Sequence, residues 1–266
     1  QINGVNRSED NQAENSDIFL QATFLASERI SYIIGARNST VRFASTDYYI
    51  VPAGGSVSAN GDGSGDVSYS AFSPVMGVTY HATDNLNFYA NYGRGFETPT
   101  LAEAAYTSTA IASSTFNTTL NAARSQHYEA GAKWLPTKSS RLDATLYQIN
   151  TTDEIVILSS SGGVTTYKNA PGTSRLGWEL AATSLIHQHL RASLSASAID
   201  AKYSEGFTRG STPVASGSKL PGIPQHFLFG ELLRANQGLD TARRKQRLGT
   251  TAGIERSEEH TSELQS

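Results

Sequence analysis

The chain has 266 residues, a hydrophobic fraction of 38%, no cysteine and a net charge of −3. That length accommodates one large β domain or two small ones. No run of ~18 apolar residues exists, which excludes a helical membrane span, and the charge supplies no basic stripe for nucleic acid.

Taken in chain order, the predicted elements are strands with one uncharged edge. Leu20, Ala22 and Phe24 alternate with Gln21 and Thr23, and Ile30, Tyr32, Ile34 and Ala36 alternate with Arg29, Ser31, Gly35 and Arg37. Leu86, Phe88, Ala90 and Tyr92 then oppose Asn85, Asn87, Asn91 and Gly93, with Tyr89 the sole aromatic on the wet phase. The pattern returns at Tyr128/Ala130/Ala132/Trp134, at Leu142/Ala144/Leu146, at Leu176/Trp178/Leu180/Ala182 and at Leu190/Ala192/Leu194/Ala196/Ala198. Period-two alternation places successive side chains on opposite faces of a strand. Charges fall on one phase only. An Arg or Lys facing lipid at mid-depth costs roughly 2–4 kcal/mol, so this segregation is what a bilayer selects. Trp134, Trp178, Tyr32, Tyr92 and Tyr128 on the lipid phase suit interface girdles.

The connections alternate in length. Ser27-Glu28, Ala82-Thr-Asp84, Leu135 to Ser140 and Ser184 to His189 are short, whereas Ser45–Asp66, Glu97–Ala123 and Ser204–Lys219 are long. Ser159 to Gly163 is a modest turn on the long-loop side. Short turns on one rim and long loops on the other characterise an outer-membrane barrel. The expected fold class is therefore all-β, a transmembrane antiparallel β-barrel fragment of about nine strands, several overshooting the ~9–11 residues that cross a bilayer. An odd number of strands in an open sheet leaves edges that lipid forbids, so the sheet reads as a piece of a larger barrel. The polar start at Gln1 carries no secretory signal, and the chain is expected to begin inside a longer protein.

Three stretches are distinguished. Residues 1–235 carry the barrel pattern. Asn236 to Glu255 loses the alternation and reads as a loop or a frame-shifted segment, and Arg256 to Ser266 resembles a translated sequencing adapter.

Chemistry-bearing motifs are sparse. Gly93-Arg-Gly95 lacks the Lys-Ser/Thr of a phosphate loop and reads as a bend where the strand leaves the membrane, with Arg94 as the alternative, a ligand-contacting cation. Asp62, Ser64 and Asp66 are spaced like the start of a calcium loop but lack the closing Glu. His187 and His189 have no third metal ligand nearby, so no metal site is expected. Glu129 and Glu179 sit on the inward phase, where ion pairs with Arg175, Arg191 and Lys133 are expected in preference to acid–base work. No nucleophile elbow or Cys–His pair appears, so the chain is not expected to be an enzyme, nor to carry a cofactor. Ligand contacts in the outer loops are expected at Tyr48, Tyr49, Tyr106 and Phe116.

Tyr92-Gly-Arg-Gly-Phe-Glu-Thr-Pro-Thr-Leu-Ala-Glu103, Tyr128-Glu-Ala-Gly-Ala-Lys133, Leu142-Asp-Ala-Thr-Leu-Tyr147, Thr152-Asp-Glu-Ile-Val156, Tyr167-Lys-Asn-Ala170, Ser174-Arg-Leu-Gly-Trp-Glu-Leu180 and Leu220-Pro-Gly-Ile-Pro-Gln225 occur in succession. In order and spacing, from Asp17 to Arg234, this succession resembles the barrel of TonB-dependent outer-membrane receptors. The resemblance implies a barrel of about 22 strands around a plug and residence in the outer membrane of a Gram-negative bacterium. It also implies energy from the TonB complex and uptake of a ferric siderophore or another scarce nutrient. A passive porin or adhesin barrel and a soluble β-sandwich binding module are the alternatives.

Overall fold

The computed structural model describes residues 8–55 and 59–234; the stretches 236–255 and 256–266 lie outside them. Strands β1 (Glu9–Ser27), β2 (Ile30–Asp47), β3 (Gly65–Thr83) and β4 (Leu86–Glu97) are followed by a short helix α1 (Leu101–Ala104) and a 3-10 turn at Ile111–Ser113. Then come β5 (Ala123–Thr137), β6 (Ser140–Ser161), β7 (Val164–His187), β8 (Leu190–Tyr203), the small strands β9 (Phe207–Arg209) and β10 (Thr212–Val214), and β11 (His226–Arg234). Nine of these form one antiparallel sheet in the order β1-β2-β3-β4-β5-β6-β7-β8-β11, the partial barrel expected from the alternation, while β9 and β10 make a separate hairpin. β6 and β7 run for 22 and 24 residues, about twice what a bilayer requires, so their distal halves stand above it.

Register turns the sequence alternation into two faces. One row runs Phe24, Tyr32, Val78, Ala90, Ala130, Leu146, Trp178, Ala198 across eight consecutive strands. No member is charged, and among the described residues no protein covers the face: Leu20 is 79% exposed, Leu146 64% and Leu228 73%. An apolar surface this continuous is a lipid contact. The row beneath it on the opposite face reads Thr23, Ile33, Gly77, Asn91, Glu129, Tyr147, Gly177, Ile199. The inner wall is mostly polar, but Phe19 on β1 and Phe227 and Phe229 on β11 share its phase.

Two lumen tyrosines cover glycines on the neighbouring strand. Tyr89 pairs with Gly131 and Tyr147 with Gly177. A Cβ on Gly131 would lie 2.6 Å from Tyr89 Cζ, and one on Gly177 2.5 Å from Tyr147 Cζ. Each ring thus occupies space that only a missing side chain leaves, shielding bare backbone. The Tyr89 hydroxyl lies 2.9 Å from Thr145 Oγ1, and the Lys133 ammonium sits 5.2 Å from the Tyr89 ring centroid.

The rims differ as expected. Glu28-Arg29, Asp84-Asn85, Lys138-Ser139 and Gln188-His189 are tight turns between strands, each beside a shift of register. Such bulges strengthen the local twist. At the opposite rim β6 and β7 meet in a turn through Gly162 and Gly163, whose φ values of 60° and 82° require glycine. The remaining connections on that rim are long, which makes it the outer one.

Candidate functional site

The connection 98–122 folds inward across the concave wall. Thr100 caps α1: its hydroxyl accepts from the Glu103 amide at 3.2 Å, and the Glu103 carboxylate accepts from the Thr100 amide at 2.8 Å. This reciprocal box stabilises a helix too short to persist alone. Pro99 and Ala104 are fully buried beneath the loop. Its returning limb is fixed at two places. The Tyr69 hydroxyl of β3 donates to the Leu120 carbonyl at 3.0 Å. On β7, Asn169 accepts from the Asn121 amide at 2.8 Å and donates to the Asn121 carbonyl at 2.9 Å and to the Asp153 carbonyl at 2.6 Å. The inward residues Ser39, Ser45, Tyr69 and Ala71 are buried in consequence. The connection 204–225 covers the wall farther along, where Phe207, Val214 and Leu220 pack on Ala170, Ala201 and Tyr203.

On the inner wall at the outer ends of β4 to β7 lies a pocket of about 230 Å³, lined by Glu97, Ala123, Ser125, His127, Ile149, Thr151, Glu154 and Arg175. Strand ladders align most of these residues, since Ser125 faces Thr151 and His127 faces Ile149, which in turn faces Arg175. Glu154 arrives by another route. Asp153 adopts φ 57°, the left-handed region that Asp tolerates better than most residues. The ladder passes from Thr152 with Gly172 to Glu154 with Ala170 across it. The alternation changes phase at this point, so Glu154 and Ala170 face the lumen with Arg175 although parity below would turn them outward. The Arg175 guanidinium meets Glu154 at 2.6 Å and donates to the Thr173 hydroxyl at 2.9 Å; that hydroxyl also donates to Glu154.

Glu97 opens on the funnel, yet neighbouring protein displaces water from its carboxyl. That desolvation, followed by repulsion from Glu103 and Glu154, raises it above its ordinary value of 4.5, and Arg175 opposes the shift. Ser125 Oγ and His127 Nε2 are 2.7 Å apart on one strand. Among the described residues no carboxylate hydrogen-bonds the other ring nitrogen, so the pair lacks the orienting group of an activated nucleophile. The arrangement offers donors and acceptors of both signs to a polar solute and no bond-breaking machinery. The described residues also hold no group of three or more side chains able to bind a metal ion.

The structure does not gather the residues expected from sequence into this pocket. Tyr48 is 67% exposed on the connection after β2, and Tyr49 follows it, its amide donating to Asp47 at 2.9 Å. Tyr106 is half-buried in the connection 98–122. Phe116 is turned into that loop, 6% exposed, with its ring against Gly65 where a Cβ would lie 2.8 Å away. Arg94 shares the phase of Tyr92, donates to its hydroxyl at 3.1 Å and faces outward. Among the described residues the ion pairs expected of Glu129 and Glu179 with Arg175, Arg191 and Lys133 do not form; Arg175 is committed to Glu154 and Lys133 lies over the Tyr89 ring. Sequence reading passed over Glu97, Ser125, His127, Thr151 and Glu154, for which Asp153 beside Glu154 and Pro171-Gly172 opposite it were the available signals.

A family model described as TonB dependent receptor-like, beta-barrel matches residues 1–242. Among solved structures, copper transporter OprC is similar at 18% identity and TM-score 0.64, over 85% of this chain and 34% of its own. The ferric yersiniabactin uptake receptor FyuA from Yersinia pestis gives 17% identity and TM-score 0.64, over 85% and 32%. The siderophore receptor PiuA from Acinetobacter baumannii gives 15% and 0.65, over 83% and 31%. These identities establish a shared fold, and the chain spans about a third of the length of each of these proteins. With an outer face uncharged at membrane depth, long loops on one rim and a mostly polar wall within, the chain belongs to the TonB-dependent receptor β-barrel family of the Gram-negative outer membrane.

Proposed function

We propose that this barrel section serves active uptake of a scarce nutrient, with a ferric siderophore as the favoured cargo and energy supplied through TonB. The observation that carries the reading is the pocket toward the outer mouth, whose wall brings Glu97, Ser125, His127, Thr151, Glu154 and Arg175 together. A solute entering from outside meets hydrogen-bonding groups of both signs before it reaches membrane depth. The copper transporter and siderophore receptors among the similar structures support a small metal-bearing cargo. Ligand capture is assigned to the loop aromatics Tyr48, which is exposed, and Tyr49 and Tyr106, which are half-buried, and orientation to Glu154 and Arg175. Release needs differential affinity between states of the receptor, because equal binding to both shifts nothing.

The test is uptake of radio-iron-labelled hydroxamate and catecholate siderophores by iron-starved cells expressing the complete receptor. TonB-dependent accumulation of one class is the expected result. Equal accumulation in cells lacking TonB would establish a passive pore and overturn the proposal.

A further inference from the structure

The pocket at the outer ends of β4 to β7 is unequally supplied with charge. Its volume of about 230 Å³ falls below the roughly 300–1,000 Å³ that encloses a drug-sized ligand, so it admits one projecting arm of a solute and not the whole. Two carboxylates, Glu97 and Glu154, line it against one guanidinium, Arg175, and no lysine.

Arg175 is already spent. It reaches Glu154 at 2.6 Å, the Thr173 hydroxyl at 2.9 Å and the Thr151 hydroxyl at 3.4 Å, and its side chain is only 20% exposed. An arriving anion would have to displace Glu154 and leave that carboxylate, itself 22% exposed, without its partner. Breaking a mostly buried pair in this way is strongly unfavourable. The next cation on β7, Lys168, gives its ammonium to the Thr208 carbonyl at 3.0 Å and lies 5.6 Å from the Phe207 ring centroid.

Glu97 is in the opposite condition. Among the described residues its carboxylate makes no hydrogen bond and no ion pair, although neighbouring protein strips water from it. Glu103 and Glu154 both repel it, and Arg175 opposes them with the smallest effect of the three. A cation placed beside Glu97 relieves that repulsion and supplies the missing partner. Ser125 and Thr151 face each other across the ladder nearby, and their hydroxyls can accept from N–H groups. Among the described residues no three side chains converge as metal ligands, so the cation that suits this wall is an organic one.

We propose that the pocket receives a protonated alkylamine or guanidine arm of the transported solute, with Glu97 as its counter-ion and the Ser125 and Thr151 hydroxyls accepting its remaining N–H groups. The assignment rests on the uptake reading and narrows it: the cargo is an otherwise neutral chelate bearing one cationic arm, and a chelate that presents anionic groups to this wall is refused.

The arm alone is the probe. The complete receptor, purified in detergent at low ionic strength, would be titrated at neutral pH with n-pentylamine and with pentanoate, and binding read by saturation-transfer NMR. Wild-type receptor should bind pentylamine in preference to pentanoate. Glu97→Gln should weaken pentylamine binding by roughly fivefold, between what exposed and buried ion pairs are worth, while Asp84→Asn on the opposite rim leaves it unchanged. Glu97→Lys should transfer the preference to pentanoate. Should a variant not fold, the two probes compared on wild-type receptor still decide. Equal binding of both probes by wild type, full retention of pentylamine by Glu97→Gln, or an equal loss in Asp84→Asn would overturn the assignment. Neither probe needs TonB or a metal, so failure here leaves the uptake reading standing, whereas TonB-independent accumulation in cells would sink that reading with the probe result intact.

Discussion

Replacing Gly131 with alanine tests whether Tyr89 is a fitted part of the wall. The new Cβ would lie 2.5 Å from the Ala144 carbonyl oxygen and 2.6 Å from both Tyr89 Cζ and its hydroxyl. The carbonyl belongs to the ladder and yields only by distorting it, and the ring must lift away as well. Overpacking of this kind costs about 1–3 kcal/mol. Lifting the ring also breaks the contact with Thr145, which contributes roughly 0.5–1.5 kcal/mol. The combined loss is on the order of 2–4 kcal/mol. Gly93→Ala is the control, because its Cβ meets Val75 at an ordinary 3.4 Å. Guanidinium titration of the complete receptor in phospholipid vesicles, followed by tryptophan fluorescence, reads both variants. A Gly131→Ala loss no larger than that of Gly93→Ala would refute the reasoning. Tyr89→Phe should isolate the hydrogen-bond portion.

On the outer face, Ala196→Arg should destabilise the same receptor by roughly 2–4 kcal/mol, whereas Ser195→Arg, facing the lumen one residue away, should cost far less; equal costs would mean that the faces are misassigned. Asn169→Ala removes the contacts that hold Asn121, and protease cleavage between residues 105 and 115 should accelerate on intact cells, with unchanged cleavage showing that the loop is held elsewhere. The raised Glu97 carboxyl gives a pH signature. The folded barrel binds that proton more tightly than the unfolded chain, so the associated stability is fully present below the ordinary value of 4.5 and is lost as pH climbs through the raised value. Glu97→Gln should therefore match wild type in acid and exceed it near neutrality, and a gap that widens on acidification would contradict the sign.

The lipid face was legible because alternation is local: once Tyr32, Ala90 and Trp178 share a phase with their neighbours, pairing can only line them up. Loop lengths likewise separated the rims. Arg94 was legible too, for it stands two residues beyond the outward Tyr92, and in place of the bend expected at Gly93-Arg-Gly95 the strand and its alternation continue through Phe96. Glu154 was not legible. Its inward aim depends on a left-handed Asp153 opposite Pro171, and parity counting across such a point gives the wrong face. The burial of Phe116 was not legible either, because it depends on the loop lying against the wall, where the ring packs on Gly65. Tyr89 was noticed as the one aromatic on the wet phase of its strand, but its role required knowing that Gly131 would be its partner, a fact of register rather than of sequence.

The inward course of residues 98–122 separates two jobs that would otherwise compete. Its anchors, Leu120 and Asn121, sit at the returning end, while the segment around residues 105–115 is held chiefly by its own turns. Substitutions in that span can reshape the aperture without disturbing any residue that must survive among acyl chains. A lineage facing a new cargo could therefore retailor its entrance while the staves of the barrel stay as they are.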